Sequence, residues 1–228
     1  MRAIFEKKED EFIMKKNIAS QLGFWASVLG VIIGGIYFLV LIYSLSTEGA
    51  ASLNSPSPFV QLAGGIVTIL TVPMLVILFT AIRDVNEGDK KVLGSLGVNF
   101  IILFAATVSI NRFVQLTVIQ QSLPNVPADL IRFLPYGSGS VMSALEVLGW
   151  GFFSSLAAGF VAPLFSASRL NKAIRWLFIL YAVFSFLSAI SFATNVFIPT
   201  GPIAWGPILL VITILLSVYF RNIDKQVA

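Results

Sequence analysis

Two ionisable residues, Arg112 and Glu146, lie inside long apolar runs. A charge in a membrane-length apolar segment is costly, so it marks a site by default. A guanidinium and a carboxylate can pair, or can hold a small polar or charged ligand. Counting residues gives their depth. Arg112 lies 21 residues beyond Lys91, and Glu146 lies 23 before Arg169. At 1.5 Å per residue both stand roughly 30 Å from the basic boundary, about the full hydrocarbon thickness. They are therefore expected at one height near the outer interface, on consecutive segments, as an ion pair. A charge there can snorkel to water, which favours a structural pair over a ligand site. Asn111 and Gln115 share a helix face at spacing four, and Arg112 and Gln115 are neighbours at spacing three. Asn195, 20 residues after Arg175, reaches the same level. Together these five residues predict a polar, outward-facing rim. It either holds water or a small polar ligand, or simply caps the bundle.

Deeper in the membrane, Asn99 is the polar residue that most needs a partner, and it is expected to be buried as glue between helices rather than as a substrate contact. Ser and Thr can bond their own helix carbonyls. No charge falls near the midplane, which argues against a proton relay or ion-coupled pump. Histidine and cysteine are both absent, so no imidazole or thiolate is available to bind a metal, ligate haem, act as a base or act as a nucleophile. Gly137-Ser138-Gly139 has the look of an intramembrane serine turn but lacks a histidine base. Asp84, Glu87 and Asp89 do not have the spacing of a calcium loop. No catalytic, cofactor-binding or metal-binding residue is expected.

The elements that position these residues follow from composition. The 228 residues are 57% apolar and 11% charged, with a mean hydropathy of +0.91. A soluble domain has about 25% charged residues. Six segments reach bilayer length: about 21–45, 59–83, 92–118, 139–165, 173–194 and 202–221. They predict an all-α, polytopic six-helix membrane bundle. Residues 1–20 read as an N-terminal tail, either a short surface helix using Phe5, Phe12 and Ile13 or a solvated segment, and 222–228 read as a C-terminal tail. Residues 127–134, flanked by prolines, suggest one or two interfacial helical turns. The first apolar run is too long for a signal-peptide core, so the N-terminus is expected to be retained. All but Arg112 and Arg132 of the 15 Lys and Arg residues fall on one side of such a layout. That bias predicts both termini in the cytoplasm. It also explains the net charge of +4 without a nucleic-acid partner. Trp25, Trp176 and Tyr219 fall at inner boundaries, and Tyr43, Tyr136 and Trp205 at outer ones, where amphipathic rings favour headgroups.

Small residues recur at spacing four in two runs: Ala26, Gly30 and Gly34, then Gly151, Ser155 and Gly159. Such stripes let a neighbouring backbone approach. The plainer reading is packing within the bundle; the other is a second copy or another membrane protein. Pro73 and Pro163 are placed to kink the second and fourth spans. No internal repeat of the kind that marks many transporters is present. LEVLGWGFF (Leu145 to Phe153), APLFS (Ala162 to Ser166) and RLNKAIRWLF (Arg169 to Phe178) resemble a stretch in small uncharacterised bacterial integral-membrane proteins. The resemblance spans roughly residues 140–220. It implies a bacterial plasma-membrane protein and carries no activity with it. The expected role is a non-enzymatic membrane component, serving assembly, sensing or an accessory task, with the lipid bilayer as its principal partner. The alternative is a transporter or channel-like facilitator for a small or lipophilic molecule. An intramembrane enzyme ranks last, for want of a nucleophile with its base.

Overall fold

The computed structural model describes residues 2–49, 57–86, 88, 90–123, 125–134, 139–196 and 200–227, with the side chains of 2–13, 15 and 225–227 left aside. Six helices are long and apolar enough to cross a membrane, and no strand occurs among the described residues. They are α1 (Arg2–Glu48), α2 (Pro58–Val85), α3 (Lys91–Ser122), α4 (Val141–Leu164), α5 (Arg169–Thr194) and α6 (Gly201–Asp224). The last continues helically to Val227. The boundaries from Glu48 to Gly201 fall within four residues of where apolar length places them, and the two chain ends do not: the last helix takes in most of the expected C-terminal tail. The N-terminal tail differs, because α1 runs unbroken from Arg2 through the first span and makes a rod roughly 70 Å long. Between α3 and α4, Ala128–Phe133 forms a short 3-10 helix behind Pro127, so the expected helical turns exist. Glu87, Asp89, Pro124, Pro135, Tyr136, Gly137, Ser138 and Pro199 fall outside the described residues.

Neighbours in the chain are neighbours in space. Each helix packs on the next, and α6 returns to α1, which closes a ring of six. Ser20 of α1 donates to Asp224 of α6 at 3.4 Å, so both chain ends belong to one end of the ring. We term that end terminal and the opposite end distal. The terminal half is plugged by apolar side chains. Phe165 stacks on Phe178 with centroids 5.7 Å apart, Phe79 meets Phe178 edge-on at 6.0 Å, and Ile82, Ile174, Leu216 and Phe220 have no exposure. Outward-facing positions are equally apolar, among them Trp25, Leu39, Ile110, Phe113 and Trp176. An apolar exterior around an apolar core suits hydrocarbon rather than water.

The first small-residue stripe packs within the bundle. Ala26 is buried. A methyl built at Gly30 would meet Thr213 of α6 at 2.8 Å and Met74 of α2 at 3.2 Å, and one at Gly34 would meet Leu210 at 3.0 Å. The α1 backbone thus seats itself between α2 and α6. The second stripe is broken. Gly151 lies against Ala189 of α5 and Ser155 is buried, but Gly159 faces open space. Ser155 and Gly159 both lie in the regular helix Ser154–Val161, where a step of four drifts by about 40° and carries Gly159 off the edge of the buried face. The α3–α4 contact is made instead by Gly97 against Ala157 and Val161. Pro73 lies inside α2, whereas Pro163 sits in the 3-10 turn that ends α4 and kinks no helix interior. Two belt residues also turn inward: Tyr219 is buried, and Trp205 is half-buried within the ring.

Candidate functional site

One face of α3 accounts for the site. Gly97, Ile101, Phe104, Val108, Asn111 and Gln115 recur every three or four residues and are all buried. This stripe is apolar through the plugged half and polar at its distal end. The same rotation swings Asn99 outward. It is exposed, and the expectation that it is buried between helices is corrected: a residue two positions from both Gly97 and Ile101 stands on the opposite face of an α-helix.

At the distal end Arg112 Nη2 pairs with Glu146 Oε1, while Asn111 Nδ2 donates to Glu146 Oε2 at 2.6 Å. Both carboxylate oxygens are therefore engaged by α3. Arg112 Nη1 donates to Gln115 Oε1. Gln115 Nε2 in turn donates to the Gln61 carbonyl of α2 at 3.4 Å. The chain of bonds joins α2, α3 and α4. The Arg112 and Glu146 side chains keep only 11% and 19% of their exposure, so they are drawn into the bundle rather than extended to water. Tyr37 of α1 is exposed, and a methyl built at Gly206 of α6 would lie 3.7 Å from its ring. Asn111 Oδ1 and Arg112 Nε are buried without a hydrogen-bond partner among the described residues.

A second polar layer lies nearer the middle of the ring. π-turns interrupt α3 at Gln115–Ile119, α4 at Leu148–Phe153 and α6 at Ala204–Ile208. A π-turn leaves backbone carbonyls without their usual helical donor. The Trp150 carbonyl accepts from Trp205 Nε1 of α6 at 3.2 Å and from Ser154 Oγ. Trp205 Nε1 also reaches Ser185 Oγ of α5 at 3.1 Å, and Ser154 Oγ lies 2.9 Å from the Tyr181 hydroxyl. This layer joins α4, α5 and α6, so α4 belongs to both. The Trp150 ring closes over Phe104 with centroids 4.7 Å apart, edge to face, and so separates the polar layers from the plug below.

Of the expected rim, Arg112, Glu146, Asn111 and Gln115 come together, and Asn195 does not. It is exposed and caps α5 in the left-handed region at φ 55°, its N–H directed at the Phe192 carbonyl 3.5 Å away. The helix ends at Thr194 and turns it away. Gln61 is a member that the residue pattern did not single out. Gln61, 22 residues before Arg83, answers to the depth count that placed Arg112. The π-turns leave no such signal. Chemically, a carboxylate with both oxygens taken and a guanidinium between it and an amide hold helices together rather than present an open charge. The chain matches no family model, no curated protein and no solved structure.

Proposed function

We propose that the protein is a non-enzymatic integral-membrane component of a bacterial plasma membrane, its terminal end cytoplasmic and its distal end outward. The side on which basic residues collect supports that orientation, and six apolar helices of bilayer length support the membrane setting. Its role is assembly, sensing or accessory, carried by a rigid bundle that the Arg112 cluster locks. One observation carries the reading: the Arg112–Glu146 pair is closed on itself by Asn111 and Gln115 and ties three helices.

Removing one member of a buried pair leaves an uncompensated charge. Arg112→Ala or Glu146→Ala is expected to cost about 3 kcal/mol and lower the thermal midpoint in detergent by about 5–10 °C. Exchanging the charges, Arg112→Glu with Glu146→Arg, is expected to recover most of the loss. Asn111 and Gln115 can each flip their amide and reverse donor and acceptor. Single variants as stable as the parent would defeat the lock and leave the cluster free to serve a ligand.

A facilitator is the second reading, and the three π-turns favour it, because such turns recur at functional sites. Asn111 Oδ1 and Arg112 Nε would then meet a small polar solute entering from the distal end.

A further inference from the structure

We infer that the outer face of α3 is the interface of a symmetric dimer, centred on Asn99. Asn99 lies eight residues past Lys91, roughly 12 Å into a hydrocarbon layer of about 30 Å. It is exposed on the outside of the ring. An amide left to lipid forgoes every hydrogen bond it could make, and that loss drives polar side chains to meet between helices. Two hydroxyls farther along α3 have another remedy. Thr107 and Thr117 return theirs to the Leu103 and Phe113 carbonyls one turn back. Asn99 has no such bond among the described residues.

A second copy of the chain fits this face better than an unrelated helix does. Two copies inserted alike in one membrane relate by a twofold axis along its normal, which sets each residue opposite itself at one depth. An amide carries both donor and acceptor, so two Asn99 side chains satisfy each other reciprocally. The surrounding face has the required period. Val92, Asn99, Leu103, Ala106, Ile110 and Phe113 are all exposed and recur at steps of seven, four, three, four and three. With the step of seven counted as two, the mean is 3.5, the spacing of the seam in a left-handed helix pair, in which one polar residue fixes the register. Ala106 gives the close approach such a seam needs.

The absence of cysteine from the chain makes the test direct. Leu103→Cys and Ala106→Cys in the full-length protein, in native membranes, should cross-link on oxidation to twice the chain mass. Ile77→Cys on α2 and Val183→Cys on α5, exposed on other faces, should not. In liposomes at graded lipid-to-protein ratio, Asn99→Leu should weaken association by about five- to thirtyfold, measured by energy transfer between labelled copies, and Asn99→Gln should retain it. The inference is overturned by monomers at all α3 positions, by equal cross-linking at Ile77→Cys and Val183→Cys, by products of another mass, or by Asn99→Leu associating like the parent.

Discussion

At the scale of single residues, the indole of Trp205 shows how a polar group inside the ring is held by two partners at once. Its Nε1–H is shared between the Trp150 carbonyl and Ser185 Oγ. Both acceptors belong to neighbouring helices, and the π-turn at Trp150 is what frees that carbonyl. Trp205→Phe preserves most of the ring volume and removes the donor. The expected cost is about 1–2 kcal/mol, with a lower thermal midpoint and an unchanged helical circular-dichroism spectrum. An unchanged midpoint would mean that the second polar layer contributes nothing to the bundle. Asn99 and Asn195 teach the complementary lesson. Counting along the chain gives a residue's height but not the direction in which its side chain points. Arg112 and Glu146 were legible because paired charges at one height have strong reason to turn toward each other. Asn99 had no partner to fix its direction, and Asn195 stands where its helix stops.

At the scale of elements, the six spans were legible because each apolar run is longer than the uncertainty at its ends. Their contacts were only half legible. Gly30 and Gly34 pack as their spacing suggests, because α1 is regular throughout. Gly159 does not, because the drift of about 40° in a four-residue step carries it past the edge of the buried face that still holds Ser155. Gly97 carries the contact instead. A methyl at Gly97 would meet Val161 Cγ1 at 2.5 Å and the Ala157 carbonyl at 3.3 Å, whereas one at Gly159 would meet nothing within 4 Å. Gly97→Ala is therefore expected to destabilise by about 1–3 kcal/mol. Gly159→Ala is expected to stabilise by about 0.5 kcal/mol, since it restricts the unfolded chain and improves helix propensity. Thermal unfolding of the two variants side by side checks both, and equal midpoints would contradict the observed seat of α3 on α4.

At the scale of the whole molecule, polarity is sorted along the ring axis. An apolar, aromatic-rich plug fills the terminal half, and two polar layers that share α4 occupy the distal half. Basic residues gather beyond the plug, and the closed pair of Arg112 and Glu146 guards the other end. On this account no water path crosses the bundle, and each connecting segment has a fixed side. A membrane-impermeant maleimide on intact cells reads both claims in the cysteine-free background. Ile131→Cys, exposed at the distal end, should label from outside. Asn222→Cys, exposed at the terminal end, should label only after permeabilisation. Ser185→Cys, with no exposure inside the ring, should stay unlabelled under both conditions while the protein remains folded. Labelling of Asn222→Cys from outside, or of Ser185→Cys in the folded protein, would contradict a sealed bundle with both chain ends in the cytoplasm.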